Sequence, residues 1–136
     1  GIVAARLGAG AVRSIDVDEA AVSATRDNAR RNDVDDRVEV LLATDADDPL
    51  HDVAGRHDLV VANIGAATLT ALAPDILARL ADDGLLVVSG LLDPVEAEVL
   101  DAFRPWRVVR TEVLQGWVAA VLRSPSIATP RVVGGA

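Results

Sequence analysis

Three polar side chains of this 136-residue chain follow short apolar runs. Asp16, Asp45 and Asn63 each stand just after a run that is long enough for a buried strand. The parallel strands of an open α/β sheet end at the same edge, and ligands bind outside that carboxyl edge. The three side chains are therefore predicted to lie at one ligand-binding edge, and their coincidence points to a site more strongly than any one of them alone.

Asp16 has the chemistry of a ribose-binding residue. A carboxylate at the end of a strand accepts hydrogen bonds from ribose hydroxyls, as recognition of an adenosine-containing cofactor requires. The alternative is a local role, either as an Asx-type turn residue or as a helix cap. Asp18 is better placed to be the cap, so we predict that Asp16 binds ribose.

Asp45 and Asn63 have complementary roles on the following strands. A carboxylate at Asp45 accepts from an exocyclic amine such as that of adenine; the alternative is a solvated acid of the acidic stretch 45–48. An Asn amide both donates and accepts hydrogen bonds. Asn63 is therefore predicted to orient a substrate amine while it touches the cofactor, and its alternative is the start of a turn.

The remaining residues that carry chemistry form no recognisable site. The chain has no Cys, so it has no disulfide and no thiolate metal site. His51 and His57 are interpreted as solvated loop residues, and no spacing predicts a metal site. Trp106 and Trp117 are predicted to be packing residues.

The charge and the hydropathy restrict the partners. The formal net charge of −8 disfavours nucleic acid, since phosphate binding depends on clustered cations; a basic protein or a neutral small molecule is favoured. No apolar run reaches the roughly 18–20 residues of a membrane span, and we expect no secretory signal. We expect a cytoplasmic protein. The chain does not start with Met, and we expect its N-terminus to be cut or processed.

The order of the elements predicts an α/β fold. Helical spacing and end signals predict helices over residues 1–7, 19–31, 67–80 and 94–103, and strands over 11–15, 37–42, 58–62, 85–89, 106–113 and 117–122. Asp18 and Asp93 are predicted N-caps. Asp83 and Gly84 are predicted to end the third helix, and residues 45–56 are predicted to be mainly loop.

Alternating strands and helices predict a doubly wound, Rossmann-like and mostly parallel sheet. The last two strands are separated by only about three residues around Gln115 and Gly116, too few for a parallel crossover, so they are predicted to form an antiparallel hairpin. Residues 1–123 are assigned to this single core and residues 124–136 to a flexible tail.

Six segments form a recognisable set, namely residues 3–9, 15–18, 24–32, 60–64, 86–90 and 116–119. Together they resemble the PrmA-type ribosomal-protein methyltransferases, a class I methyltransferase family, over Ile2 to Arg123. The Asn63-Ile64 pair is the feature that separates this pattern from methyltransferases of glutamine or nucleobases.

The resemblance implies an enzyme that transfers a methyl group from S-adenosylmethionine to amino groups of a ribosomal protein. It implies cofactor binding by Asp16 with Val17, and by Asp45 with Ala46. Asn63 is implied to contact both the cofactor and the reacting amine, and it is the candidate catalytic residue. No metal is implied.

The resemblance also implies parts that this sequence does not contain. The family's glycine loop and the strand before it are expected just upstream of Gly1, and a separate substrate-recognition domain is expected further upstream. The absent strand is expected between those that end at Asp16 and Asn63. Its absence exposes two sheet edges, which predicts poor solubility and self-association.

Two other functions stay open at this point. A small-molecule N-methyltransferase suits a core without a recognition domain. A non-catalytic, truncated methyltransferase-like domain suits a chain without the glycine loop. A nicotinamide-dependent dehydrogenase ranks behind both, because its expected sheet lacks the closing hairpin.

Overall fold

The computed structural model describes residues 1–44, 48–51, 53–92 and 96–125. The Cα positions divide the chain into two compact units, Gly1–Ala54 and Gly55–Ala136. Each unit has its own sheet, and each is described by itself. The predicted cap at Asp93 and most of the predicted tail, residues 126–136, lie outside the described residues.

The first unit contains two parallel strands joined through a helix. Its elements are α1 (Ile2–Arg6), β1 (Val12–Asp16), α2 (Glu19–Arg31) and β2 (Val38–Leu42). The strands pair in parallel from Val12 opposite Val38 to Asp16 opposite Leu42. Parallel pairing requires a long crossover, which α2 supplies.

The core of the first unit lies where α1 and α2 pack on these strands. Six buried side chains form it, namely Ala5, Val22, Ala29, Val34, Val38 and Val40. The start of α2 is fixed by Asp18, whose side chain accepts a hydrogen bond from the backbone N–H of Ala20 at 2.8 Å. The predicted cap and the predicted helix bounds are both confirmed.

The second unit is a four-stranded sheet with two helices. Its elements are β3 (His57–Asn63), α3 (Ala66–Ala78), β4 (Leu80–Leu92), α4 (Glu96–Asp101), β5 (Arg107–Leu114) and β6 (Trp117–Arg123). The strand order is β3-β4-β6-β5. β3 and β4 are parallel, while β6 is antiparallel to both β4 and β5.

The predicted hairpin is confirmed, with a connection of two residues rather than three. Gln115 and Gly116 have φ angles of 52° and 83°. Positive φ at both central residues is the mark of the type I′ turn, whose twist matches that of the flanking strands.

The predicted boundary between the third helix and the fourth strand is wrong. α3 ends at Ala78, and β4 already begins at Leu80, which pairs with His57. Gly84 does not end a helix. A Cβ atom at Gly84 would lie 2.9 Å from the Ala81 oxygen and 3.1 Å from the His57 oxygen, so this glycine permits a close backbone approach inside the irregular start of the strand.

Over β3, β4 and β6, the four-stranded sheet has one face that is mostly buried and one that is more open, while β5 is exposed along its whole length. Cross-strand partners share a face, and residues alternate between faces along each strand. The buried face contains Leu86, Val88, Leu91, Val118, Ala120 and Leu122. On the open face, Val61 is 61% exposed. Strands of a doubly wound sheet are normally covered on both sides, so the open face is a distinctive feature of the described residues.

Each edge strand of the two described sheets pairs with a single strand, and β1 and β3 are the two edges that concern the expected missing strand. Among the strands that the structure describes, β1 pairs only with β2, and β3 pairs in the sheet only with β4. The expectation of a further strand between them stays a prediction. None of the described helices is long and apolar enough to cross a lipid bilayer.

Candidate functional site

Asp16 is the last residue of β1, and its carboxylate has a local role as well as a candidate binding role. Its Oδ1 accepts a hydrogen bond from the backbone N–H of Asp18 at 3.0 Å. Asp16 therefore makes an Asx-type turn contact. This turn role is the alternative to ribose binding that the sequence pattern did not favour. Within the described part of the chain, Oδ2 has no hydrogen-bond partner. The turn holds the carboxylate at the strand end and leaves one oxygen for a ligand.

The turn after β1 divides two tasks between neighbouring acids. The Asp18 side chain caps α2, and the Asp16 side chain stabilises the turn by accepting a hydrogen bond from the Asp18 N–H. Val17 lies between them with its side chain exposed. A ligand that bonds to Oδ2 of Asp16 would thus meet an apolar side chain beside the carboxylate.

A small slot lies beside Asp16 within the first unit. It encloses about 30 Å³ and is lined by Ile15, Leu41, Leu42, Ala43, Thr44, Asp48, Pro49, His51 and Val53. One of its lining residues, Ala43, is fixed by a hydrogen bond: the Ala43 backbone N–H donates to the Asp16 carbonyl oxygen at 2.8 Å. A volume of this size holds about one or two water molecules, so the slot admits the edge of a ring rather than a whole nucleoside.

The slot has the chemistry expected for the adenine side of a nucleoside cofactor. Apolar strand-end side chains line it, and it lies at the ends of β1 and β2, where the Asp16 carbonyl oxygen accepts from the Ala43 N–H. The predicted residues Asp45 and Ala46 lie outside the described residues. Of the residues that are described, Asp48 and His51 bring polar groups to the slot, with 3.8 Å between His51 Nδ1 and Asp48 Oδ2.

His51 is more than the solvated loop residue that the sequence predicts. Its side chain is indeed mostly exposed, but it also lines the slot. The sequence did contain a signal for this role of His51. The residue follows the strand end at Leu42 by nine positions, on a loop that starts at the candidate site.

Asn63 is the last residue of β3 and lies opposite Ser89 of β4. A Cβ atom at Gly90 would overlap Asn63 Oδ1, so the Asn63 side chain rests directly on the Gly90 backbone. Gly90 has a φ of 78°, a conformation that favours glycine. The absence of a side chain at residue 90 is what gives the Asn63 amide its place.

A β-bulge produces the special geometry at Gly90. Val88 pairs with Ala120 and Leu91 with Val118, so Ser89 and Gly90 together face a single residue of β6. Bulges of this kind bend a strand and redirect side chains, and they are frequent beside active sites. Gly90 has no predicted role of its own from the sequence; a glycine directly after an apolar strand was the available signal.

His57 belongs to β3 rather than to a solvated loop, which corrects its interpretation. Its Nε2 is buried and has no hydrogen-bond partner among the residues that the structure describes. It lies at the opposite end of β3 from Asn63, away from the candidate site. In the ranges that the structure describes, no group of three or more His, Asp or Glu residues is arranged to hold a metal ion.

The predicted residues fall into two parts. Asp16, Val17 and the slot belong to the first unit, whereas Asn63 and Gly90 belong to the second. Each part has a polar side chain at the carboxyl end of a parallel strand. One part offers the Asp16 carboxylate and an apolar slot, both at strand ends of the first unit, and the other offers an amide held on a glycine.

Comparison with known proteins gives a consistent result. A family model described as ribosomal protein L11 methyltransferase (PrmA) matches residues 1–125. Among curated proteins, the ribosomal protein L11 methyltransferase of Syntrophotalea carbinolica is 44% identical over 102 residues, which are 75% of this chain and 32% of that protein. The protein of the same description from Chromohalobacter salexigens is 40% identical over 129 residues, 92% of this chain and 41% of that protein.

Solved structures agree with this. A ribosomal protein L11 methylase from Lactobacillus delbrueckii subsp. bulgaricus superposes with a TM-score of 0.80 at 26% identity, covering 90% of this chain and 63% of that one. An RNA methyltransferase from Salinibacter ruber, solved with S-adenosyl-L-homocysteine, superposes with a TM-score of 0.69 at 20% identity, covering 94% of this chain and 75% of that one; it supports the fold alone. The predicted fold class and family resemblance are confirmed.

Proposed function

Because the chain belongs to the ribosomal protein L11 methyltransferase family, we propose that it is part of an S-adenosylmethionine-dependent enzyme that methylates amino groups of that ribosomal protein. The observation that carries the proposal is the family match over residues 1–125. The chain spans about a third to two fifths of the length of the curated relatives described above. The activity, substrate and partner are therefore proposed for the protein to which these residues belong.

The cofactor side of the proposed site is built on β1 and β2. We propose that Oδ2 of Asp16 accepts from the ribose hydroxyls, while Oδ1 stays with the Asp18 N–H at 3.0 Å. Val17 packs against the sugar, and the slot at the ends of β1 and β2 receives the edge of the adenine. Asp45 and Ala46 remain the proposed partners of the adenine amine.

Asn63 is the proposed positioning and catalytic residue on the substrate side. The bound cofactor supplies an electrophilic methyl group. The attacking amine must be neutral, because an ammonium has no lone pair. The Asn63 Oδ1 accepts one amine N–H and thereby directs the lone pair toward the methyl carbon. S-adenosylmethionine held there would supply the methyl group as its S–C bond broke with the electron pair left on sulfur, and the amine held by Asn63 would form the N–C bond and lose its extra proton to water.

This chemistry depends on geometry more than on acid–base strength. Correct placement of two reactants supplies a large share of the rate in such transfers. Asn63 is suited to that task because the Gly90 backbone fixes the position of its amide from one side. The proposed location is the cytoplasm, where ribosomal proteins are made.

Transfer of label from S-adenosylmethionine to ribosomal protein L11 tests the proposal. The whole protein to which these residues belong is compared with its Asn63→Ala variant and with its Asn28→Ala variant, a matched control on the exposed surface of α2. Loss of one oriented hydrogen bond at a reacting group lowers kcat by roughly 100-fold, so this is the expected effect of Asn63→Ala. Asn28→Ala is expected to have the parent rate.

Other outcomes would contradict the proposal in different ways. Label transfer to small amines but not to the ribosomal protein would favour a small-molecule N-methyltransferase. No transfer and no heat on titration with S-adenosylhomocysteine would favour a non-catalytic domain.

A further inference from the structure

An exposed apolar row crosses three adjacent strands of the four-stranded sheet. Leu92 of β4 lies opposite Trp117 of β6, and Trp117 lies opposite Leu114 of β5. These side chains are 49%, 54% and 75% exposed, respectively. The sequence predicts a packing role for Trp117, but more than half of its surface meets solvent. We call these three residues the apolar row.

The apolar row shares a sheet face with Asn63. Val61 lies opposite Val87, and Val87 lies opposite Val121. Asn63 is two residues after Val61, and Trp117 is four residues before Val121. Because residues two apart point to the same side of a strand and opposed residues share a face, Asn63 and the row lie on the open face.

The apolar row also shares a sheet edge with Asn63. Asn63 ends β3, and Leu92 ends β4, which runs parallel to it. Leu92 is three residues beyond Ser89, the partner of Asn63. At about 3.3 Å per strand residue, the row begins roughly 10 Å beyond the level of Asn63, and the bulge at Gly90 shortens this separation.

The core of the unit does not require the apolar row. Leu91 and Val118 are neighbours of row residues in sequence, and they point to the opposite face, where they are 1% and 2% exposed. Among the described residues nothing covers the row, and apolar surface left in water costs about 25 cal/mol per Å². Contiguous exposed apolar surface of this kind marks interaction sites more often than scattered single residues do.

We propose that the apolar row docks the polypeptide whose amine is methylated. This inference rests on the proposed function. An apolar side chain of the substrate lies across Trp117, and an amine about 14 Å from it reaches Asn63, because β6 is two strands of about 4.8 Å away from β3 and the row lies about 10 Å further along the sheet. Aromatic side chains are frequent anchors at such contacts. The net charge of −8 favours a basic polypeptide as the occupant, which agrees with an amine-bearing substrate.

Binding of ribosomal protein L11 to the whole protein to which these residues belong, measured by calorimetry without cofactor, tests the docking proposal. The parent is compared with Leu114→Ser and Trp117→Ser. Val113→Ser is the matched control, because Val113 is next in sequence to Leu114, is 64% exposed and points to the opposite face. Each row variant is expected to weaken binding at least about tenfold, and the control variant is expected to stay within about twofold of the parent.

Several outcomes would overturn the docking proposal. Equal affinity of the parent and both row variants would overturn it, as would a parent chain that does not bind the ribosomal protein. Sedimentation that shows a dimer dissociated by Leu114→Ser and unaffected by the ribosomal protein would assign the row to a second copy. Leu114→Ser alters an exposed end of an edge strand, so it provides a folded variant if Trp117→Ser does not fold.

The two proposals fail separately. Binding that depends on the row, without any label transfer, would remove the methyl-transfer function and leave the docking surface. Label transfer with row variants that bind like the parent would leave the function and remove the docking surface.

Discussion

At the scale of single residues, Asp16 and Asp18 have different roles at the end of β1: Asp18 has a structural role, and Asp16 has a structural role and a proposed binding role. Asp18 stabilises the start of α2, and Asp16 uses one oxygen to hold the turn. A carboxylate already fixed by one hydrogen bond loses less conformational freedom when its second oxygen binds a ligand. The local contact of Asp16 therefore supports its proposed ribose role and does not compete with it.

Asp16→Asn is expected to separate these two roles. The amide oxygen still accepts from the Asp18 N–H, but the charge and the second acceptor are lost. A hydrogen bond to a charged group contributes about 1.5–3 kcal/mol, so the affinity for S-adenosylhomocysteine is expected to fall by between about tenfold and 100-fold. Titration calorimetry measures the affinity, and thermal unfolding checks that stability is unchanged.

Asp18→Ala is the control for that variant. It removes the α2 cap and is expected to lower stability by about 1 kcal/mol, with cofactor affinity preserved in the folded protein. Cofactor affinity that falls with Asp18→Ala but not with Asp16→Asn would reverse the assignment of the two acids.

Gly90→Ala is expected to damage the site through Asn63. The new Cβ would collide with Asn63 Oδ1, which rests against the glycine backbone. A left-handed backbone also costs a non-glycine residue roughly 1–2 kcal/mol. We expect a loss in kcat larger than the change in KM, measured by label transfer.

Gly55→Ala isolates the backbone contribution to that effect. Gly55 has a φ of 86°, and a Cβ there would meet nothing within 4 Å. It should show a similar loss of stability with the parent kcat. Equal kcat losses in both variants would mean that the collision with Asn63 has no part in the effect of Gly90→Ala.

At the scale of elements, the hairpin of β5 and β6 is the clearest agreement between local signals and structure. Two residues with positive φ close it, and only Gly116 is well suited to that conformation. Gln115, with a φ of 52°, is the weaker member of the turn. Asn tolerates this region better than other non-glycine residues, and Asn-Gly is a favoured type I′ pair.

Gln115→Asn is therefore expected to stabilise the protein by a few tenths to about 1 kcal/mol. Gln115→Val is expected to destabilise it, because a β-branched residue is strained at positive φ. Urea unfolding measures both. A Val variant as stable as the parent would contradict the role assigned to the turn.

At the scale of the whole molecule, the two outer edges of the four-stranded sheet differ in protection. β5 carries Arg107, Arg110 and Glu112, and the pairing of β5 and β6 is irregular at Val109. Charges and bulges of this kind hinder further strand pairing. β3 has the apolar run 59–62 and pairs in the sheet only with β4 among the described strands.

Self-association is accordingly expected to involve β3 rather than β5. Val61→Lys places a charge on the open face of β3 and should lower the concentration-dependent association of the chain. Val109→Lys, at an exposed position of the opposite edge, should have little effect. Sedimentation velocity over a range of concentrations measures both. A parent chain that is monomeric throughout and unfolds in one sharp transition would contradict the expectation.

The sequence alone determined the element types, the hairpin, the cap at Asp18 and the family. These depend on short-range chemistry, such as apolar runs, helical spacing and turn residues within a few positions of each other. It also pointed to Asp16 and Asn63, because a polar residue that follows an apolar strand is visible in the chain itself.

The tertiary structure decided what depends on segments far apart in sequence. Helical spacing up to Leu80 is a misleading signal, because pairing with His57 draws Leu80 into β4. The Gly90 bulge exists only through the register between β4 and β6. The same register aligns Leu92, Trp117 and Leu114 on the open face. An alternating pattern gives a strand two faces, but only packing determines which face is buried and which remains available to a partner.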